Sequence, residues 1–97
     1  MKILLVCAGG MSTSMLMKKM EKWAAEKGEE LSVKAVGTSE YEDEAAKFDV
    51  ILVGPQVSYK LQEIKKNTGK PVGAIVPYDY AVGNVESIIK QAKALQK

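Results

Sequence analysis

The stretch Cys7-Ala8-Gly9-Gly10-Met11-Ser12-Thr13-Ser14 gathers residue types suited to one kind of chemistry. A cysteine thiol becomes a nucleophile once deprotonated, and unperturbed it ionises near ~8.5. Gly9 and Gly10 lack a Cβ, so backbone N–H groups at these positions can converge on an anion. Ser12, Thr13 and Ser14 add hydroxyl donors that can also cap a helix start. The combination predicts a thiol beside a cradle for a tetrahedral oxyanion, above all a phosphoryl group. A helix following directly after the loop should lower the thiol pKa through the partial positive charge at its start. Cysteine is also among the most frequently buried residue types, so Cys7 has a competing reading as core packing. Its position at the end of an apolar run, just before Ala-Gly-Gly, favours the functional reading. Met11, Met15, Met17 and Met20 read as packing residues, except that Met11 at the loop tip can face a partner protein.

What the chain lacks narrows the chemistry further. All 14 basic residues are lysines, and there is neither arginine nor histidine. A cysteine loop before a helix resembles the low-molecular-weight tyrosine phosphatases, whose Cys-x5-Arg loop clamps phosphate with a bidentate arginine. The sixth position after Cys7 is Thr13, so that clamp is missing. Asp79, in Pro77-Tyr78-Asp79-Tyr80, is the one candidate for protonating a leaving group, and it reads better as a solvated turn residue. One cysteine without histidine cannot build a zinc site, and thioredoxin-type exchange needs a second cysteine. The glycines match neither a dinucleotide-binding fingerprint nor a Walker loop. The remaining possibility is a thiol that accepts and releases a phosphoryl group but does not readily hydrolyse it. No cofactor and no metal are implied.

Such a loop must be held by the elements around it. Four β-type runs are expected at residues 2–6, 31–36, 50–53 and 72–76, each followed by a helical or loop segment. The first, third and fourth are nearly continuous Ile, Leu and Val, as when helices cover both faces of a strand. The second alternates and reads as an edge strand. Leu16, Met20, Trp23 and Ala24 fall on one stripe of a helix over residues 12–27, closed by Gly28. Ser39 with Glu42 forms a capping-box signature for a short helix ending near Lys47. Gly54-Pro55 fits an N-cap and first helical position, with Val57, Leu61 and Ile64 pointing inward and Asn67-Thr68-Gly69 ending the helix. A last helix is expected from near Asn84, burying Val85, Ile88, Ile89, Ala92 and Leu95. The alternation implies an α/β fold: a single three-layer α/β/α domain over residues 1–97, with a four-stranded parallel sheet in order 2-1-3-4 and helices on both faces. Ligands of such sheets bind beyond the strands' carboxyl ends at the switch point, here between strands one and three. That position brings together the segments after Cys7, Gly54 and Pro77.

The formal charge of +2 is spread along the chain, with no basic patch of the kind that binds nucleic acid. The longest apolar runs are about four or five residues, against the ~20 that span a bilayer. No leader pattern precedes the first strand, and a single cysteine forms no internal disulfide, so a cytosolic protein with a reduced thiol is expected.

The chain resembles the lactose/cellobiose (N,N'-diacetylchitobiose) IIB components of the sugar phosphotransferase system (PTS). The likeness runs over essentially its whole length. It rests on the strand-Cys opening with Ala8-Gly9-Gly10-Met11-Ser12-Thr13-Ser14, on Leu52-Val53-Gly54-Pro55-Gln56-Val57, and on Lys70-Pro71-Val72. It departs after strand four, where Ala81 follows Tyr80 in place of a glycine and Val76 stands where an aspartate is common. The resemblance implies a protein-phosphohistidine–sugar phosphotransferase subunit in the cytoplasm, peripheral to the inner membrane through its partner. Cys7 would take a phosphoryl group from a phosphohistidine of the IIA protein, as a phosphocysteine, and pass it to a sugar bound by the membrane-embedded IIC protein. The loop residues from Ala8 to Ser14 would hold the phosphoryl oxygens. Met11, Gln56, Val57 and Tyr80 would face the partners. Two other readings stand beside this one: a phosphatase or arsenate-reductase-like enzyme of similar topology, and a non-catalytic flavodoxin-like module.

Overall fold

The computed structural model describes residues 1–7 and 11–96, with the backbone alone at residues 11–14. The chain runs β1 (Lys2–Cys7), α1 (Met11–Lys27), β2 (Ser32–Gly37), α2 (Tyr41–Ala45) and β3 (Val50–Val53). A 3-10 segment (Pro55–Lys60), α3 (Leu61–Thr68), β4 (Val72–Ala74), α4 (Pro77–Val82) and α5 (Val85–Gln96) follow. All strand pairs are parallel and the sheet order is β2-β1-β3-β4, the arrangement expected from the alternation of strands and helices.

Strand side chains alternate between faces, and the two cores follow that alternation. Ile3 and Leu5 of β1 with Val50 and Leu52 of β3 pack under α1 and α5, against Leu16, Met20, Ile88, Ile89 and Ala92. Leu4, Val6, Ile51 and Val53 face the other way, against Tyr41, Ala45, Val57 and Ile64. Every residue of β3 and all but the first of β1 are buried, which explains their unbroken apolar sequence. β2 lies at an edge, where Ser32 and Lys34 are exposed and Val33 and Ala35 half-buried. Across from it, Lys34 hydrogen-bonds Glu44 at 3.0 Å, holding that carboxyl below its usual range and tying α2 to β2. Because the pKa is lowered, this tie is complete at neutral pH and is lost as pH falls through the carboxylate range.

Several local expectations are corrected. The capping box at Ser39 does not form: Glu40 precedes α2, with φ −118° and ψ −10° and no side-chain cap. A turn closed by the Glu40 N–H on the Gly37 carbonyl (3.1 Å) takes up Ser39. Tyr41, 3% exposed and accepting a hydrogen bond from Asn67 Nδ2 at 2.9 Å, anchors the helix start in the core. Gly54 and Pro55 do open a helical segment, but it is 3-10, and Val57 leaves helical geometry at φ −123° and ψ 21°. Burial of Val57 against the sheet competes with a regular turn there, and the α-helix begins only at Leu61.

β4 ends at Ala74, although the Ile75 N–H still bonds the Val53 carbonyl at 2.9 Å. The following stretch is a helix, α4, with Pro77 in its first turn. Ala81 lies inside it, where alanine is a far better helix former than glycine. Asn84 caps α5, its Oδ1 accepting from the Ser87 N–H at 3.3 Å.

Gly28, Gly69 and Gly83 end helices in the left-handed conformation. Gly83, at φ +69°, also sits where a Cβ would come within 2.6 Å of Lys19 Nζ. Gly83→Ala is expected to cost about 1 kcal/mol, lowering the melting temperature by roughly 4–8 °C. An unchanged thermal transition would refute the requirement for glycine.

Candidate functional site

Cys7 is the last residue of β1 and is 2% exposed. It therefore belongs to the strand, one residue beyond the expected strand end. By the alternation along β1 it lies on the face of Ile3 and Leu5, the face covered by α1 and α5. α1 opens at Met11, one residue earlier than expected. Ala8, Gly9 and Gly10, assigned above to the anion cradle, lie outside the described residues, as do the side chains of Met11, Ser12, Thr13 and Ser14.

The strands on either side present glycine to Cys7. On one flank Cys7 is in register with Gly37, the last residue of β2. On the other, Val6 is in register with Val53, and the Gly54 N–H bonds the Val6 carbonyl at 2.9 Å, so Gly54 comes level with Cys7. A Cβ on Gly54 would stand 3.5 Å from the Cys7 Cβ, and one on Gly37 would stand 3.9 Å from the Cys7 carbonyl oxygen. Neither glycine has a positive φ, so their effect here is steric, a cysteine whose two lateral neighbours carry no side chain. Gly37 was not singled out from the sequence. Its role depends on the register of β1 with β2, which periodicity does not specify to one residue.

Polar side chains stand over both glycines. Glu40 Oε1 is 3.7 Å from the position a Gly37 Cβ would take, and Gln56 Oε1 is 3.2 Å from that of Gly54. The expected partner-facing residues divide. Gln56 is exposed, and Tyr80 is half-buried, packed against the α1–α5 core. Val57 is 2% exposed and belongs to the opposite core, which corrects its assignment to the surface: the 3-10 segment turns it inward.

In place of Val57, other apolar side chains are exposed near the sheet's carboxyl end. Met15 in the second turn of α1 is 68% exposed and Tyr78 in α4 is 71%, with Val76 and Val82 also open to solvent. Between α1 and α4 runs a groove of about 270 Å³ lined by Met15, Leu16, Lys19, Tyr80, Ala81 and Gly83. Met15, read as a packing residue, is exposed instead, and Tyr78 and Val82 were not singled out from the sequence, where Pro77-Tyr78-Asp79-Tyr80 read as a turn. The signal was present in Pro77 as a first-turn residue and Gly83 as a helix stop. No helix among the described residues is long and apolar enough to cross a membrane.

Comparison with known proteins agrees with this geometry. A family model described as "PTS system, Lactose/Cellobiose specific IIB subunit" matches residues 2–91. The oligo-beta-mannoside-specific EIIB component of Bacillus subtilis (strain 168) is 36% identical over 97 residues, covering 97% of this chain and 94% of the relative. The galactose-specific EIIB component of Lactococcus lactis subsp. cremoris (strain MG1363) is 37% identical over 101 residues, covering 96% and 94%. Among solved structures, the cellobiose-specific phosphotransferase IIB component from Borrelia burgdorferi superposes with a TM-score of 0.83 at 37% identity. That match covers 98% of this chain and 90% of the other. With its sheet order, its cysteine at the switch point and matches over almost its whole length, the chain belongs to the lactose/cellobiose-specific IIB family of the phosphotransferase system.

Proposed function

We propose that this chain is a cytoplasmic phosphoryl relay in which Cys7 is the nucleophile. The Cys7 thiolate attacks the phosphorus of a phosphohistidine on a IIA protein. An S–P bond forms, the P–N bond breaks, and the imidazole leaves with the bonding pair and takes up a proton. In the second step a sugar hydroxyl, held by a membrane-embedded IIC protein, attacks the same phosphorus. The O–P bond forms as the S–P bond breaks, the hydroxyl proton is lost, and Cys7 returns as thiolate. The residues from Ala8 to Ser14 supply donors to the phosphoryl oxygens, where preorganised N–H and O–H groups stabilise transferring charge.

The observation that carries this reading is Cys7 at the carboxyl end of a central strand, flanked by two residues without side chains. That arrangement leaves lateral room for a tetrahedral group. In this reading the IIC partner holds the sugar, and this chain only passes on the phosphoryl group. Mass spectrometry after incubation with a phosphorylated IIA protein tests the proposal: one phosphoryl group is expected, localised to Cys7, and its absence would refute the relay. Steady release of phosphate from an aryl phosphate by the isolated chain would instead favour a phosphatase.

The exposed apolar residues Met15, Val76, Tyr78 and Val82 form the face on which both partners dock. Exposed aromatic residues commonly dominate such contacts. Tyr78→Glu places a charge in that face without touching the core, and is expected to weaken uptake about tenfold at sub-saturating donor while the melting temperature stays put. Unaltered uptake would move the docking face elsewhere.

A further inference from the structure

We propose that Gln56 is a phosphoryl-binding residue, its carboxamide N–H groups donating to the phosphoryl oxygens on Cys7. This rests on the relay reading above and goes beyond a partner-facing role for that side chain. Gln56 is the second residue of the 3-10 segment and is exposed, yet its carboxamide turns back over Gly54. The carboxamide oxygen and the Cys7 Cβ lie 3.2 Å and 3.5 Å from the one point where a Gly54 side chain would begin. The cysteine and the amide therefore both border the point that a Gly54 side chain would occupy. A rotation of the terminal amide exchanges its oxygen for its nitrogen without moving the rest of the side chain.

The opposite flank sets the sign of the requirement. Over Gly37 stands Glu40, a carboxylate that only accepts hydrogen bonds when ionised and that opposes a phosphoryl dianion. A donor on the Gly54 flank offsets that repulsion. The second position of a helical segment ordinarily suits an acidic residue, because negative charge is favoured at a helix start. A neutral amide gives up that small gain and keeps two N–H donors. Gln56→Glu is therefore a variant that folds normally, keeps the size of the side chain, removes the donors and adds a charge.

The test charges wild type, Gln56→Ala and Gln56→Glu with the general phosphotransferase proteins and a IIA protein. It reads the rate of labelling, and the second ionisation of the phosphocysteine by its 31P chemical shift against pH. A donor to the dianion lowers that midpoint, so its loss raises it. Gln56→Ala is expected to slow labelling about tenfold and raise the midpoint, with a larger effect of the same sign in Gln56→Glu. Wild-type rates and midpoints in both variants overturn the assignment while leaving the relay intact. A slower rate with an unmoved midpoint also overturns it, placing Gln56 in docking alone. Failure of wild type to take label on Cys7 overturns the relay and this inference with it.

Discussion

Replacing Cys7 by serine is expected to reduce phosphoryl uptake below detection, by at least about three orders of magnitude. The two side chains are nearly the same shape, so the change removes nucleophilicity rather than form. A thiol reaches a useful thiolate fraction near neutral pH, whereas a serine hydroxyl needs an adjacent general base, and the chain contains no histidine. Cys7 is 2% exposed, so exchanging its thiol for a smaller and more polar hydroxyl at this buried position costs about 1–2 kcal/mol. Thermal unfolding should therefore shift by only several degrees and leave a folded protein to assay. Cys7→Ala, which buries no hydroxyl, separates the two effects: no label, with a stability change of different origin. Phosphoryl uptake by the serine variant at the wild-type rate would remove Cys7 from the mechanism.

Filling the space beside the cysteine should come close to the same functional loss with the thiol still present. Gly54→Val places its Cβ 3.5 Å from the Cys7 Cβ and 3.2 Å from the Gln56 carboxamide oxygen, and its two methyl groups extend beyond it. The backbone at Gly54, φ −67° and ψ 157°, is open to any L-residue, and a branched side chain fits extended geometry well. Its nearest polar neighbour is the end of a flexible, exposed side chain that can move away. Folding should survive at a cost of about 1–3 kcal/mol, the usual cost of added volume at a buried position, while uptake falls about a hundredfold because the phosphoryl group and the valine compete for one volume. Loss of folding together with uptake would make Gly54 a structural glycine. Uptake at the wild-type rate in a folded variant would mean the phosphoryl group lies elsewhere.

Much of the fold was legible in the sequence because its two strongest signals, unbroken apolar runs and a 3.6-residue stripe, both come from burial. Val50 to Val53 reads as a covered strand and is one, and Leu16, Met20 and Ala24 are buried as their spacing requires. The errors fall where local chemistry competes with tertiary packing. Ser39 and Glu42 carry a capping pattern, but burial of Tyr41 decides where α2 begins. Val57 sits in a helical pattern and leaves helical geometry to reach the core. Residues 77–82 are too short and too exposed for periodicity to reveal a helix, so only the flanking Pro77 and Gly83 mark α4. At the site, the cysteine and its loop were visible as residue types in a row. Gly37 and Gly54 flank Cys7 only through strand register, a relation between distant segments that a linear pattern does not carry.

The placement of β1 between β2 and β3 has a consequence for the timescale on which the site is kept intact. Proteins open in cooperative units, and edge elements open at lower free energy than strands bonded on both sides. Amide hydrogens of β1 and β3 are therefore expected to exchange slowest, close to the limit set by global unfolding, while the edge strands β2 and β4 exchange sooner. Cys7 terminates the first of those slow strands, whereas Tyr78 and Met15 sit on helices nearer the surface. The Cys7 sulfur is thus held by an element that persists between global unfolding events, while the more exposed Met15 and Tyr78 side chains are freer to fluctuate around it.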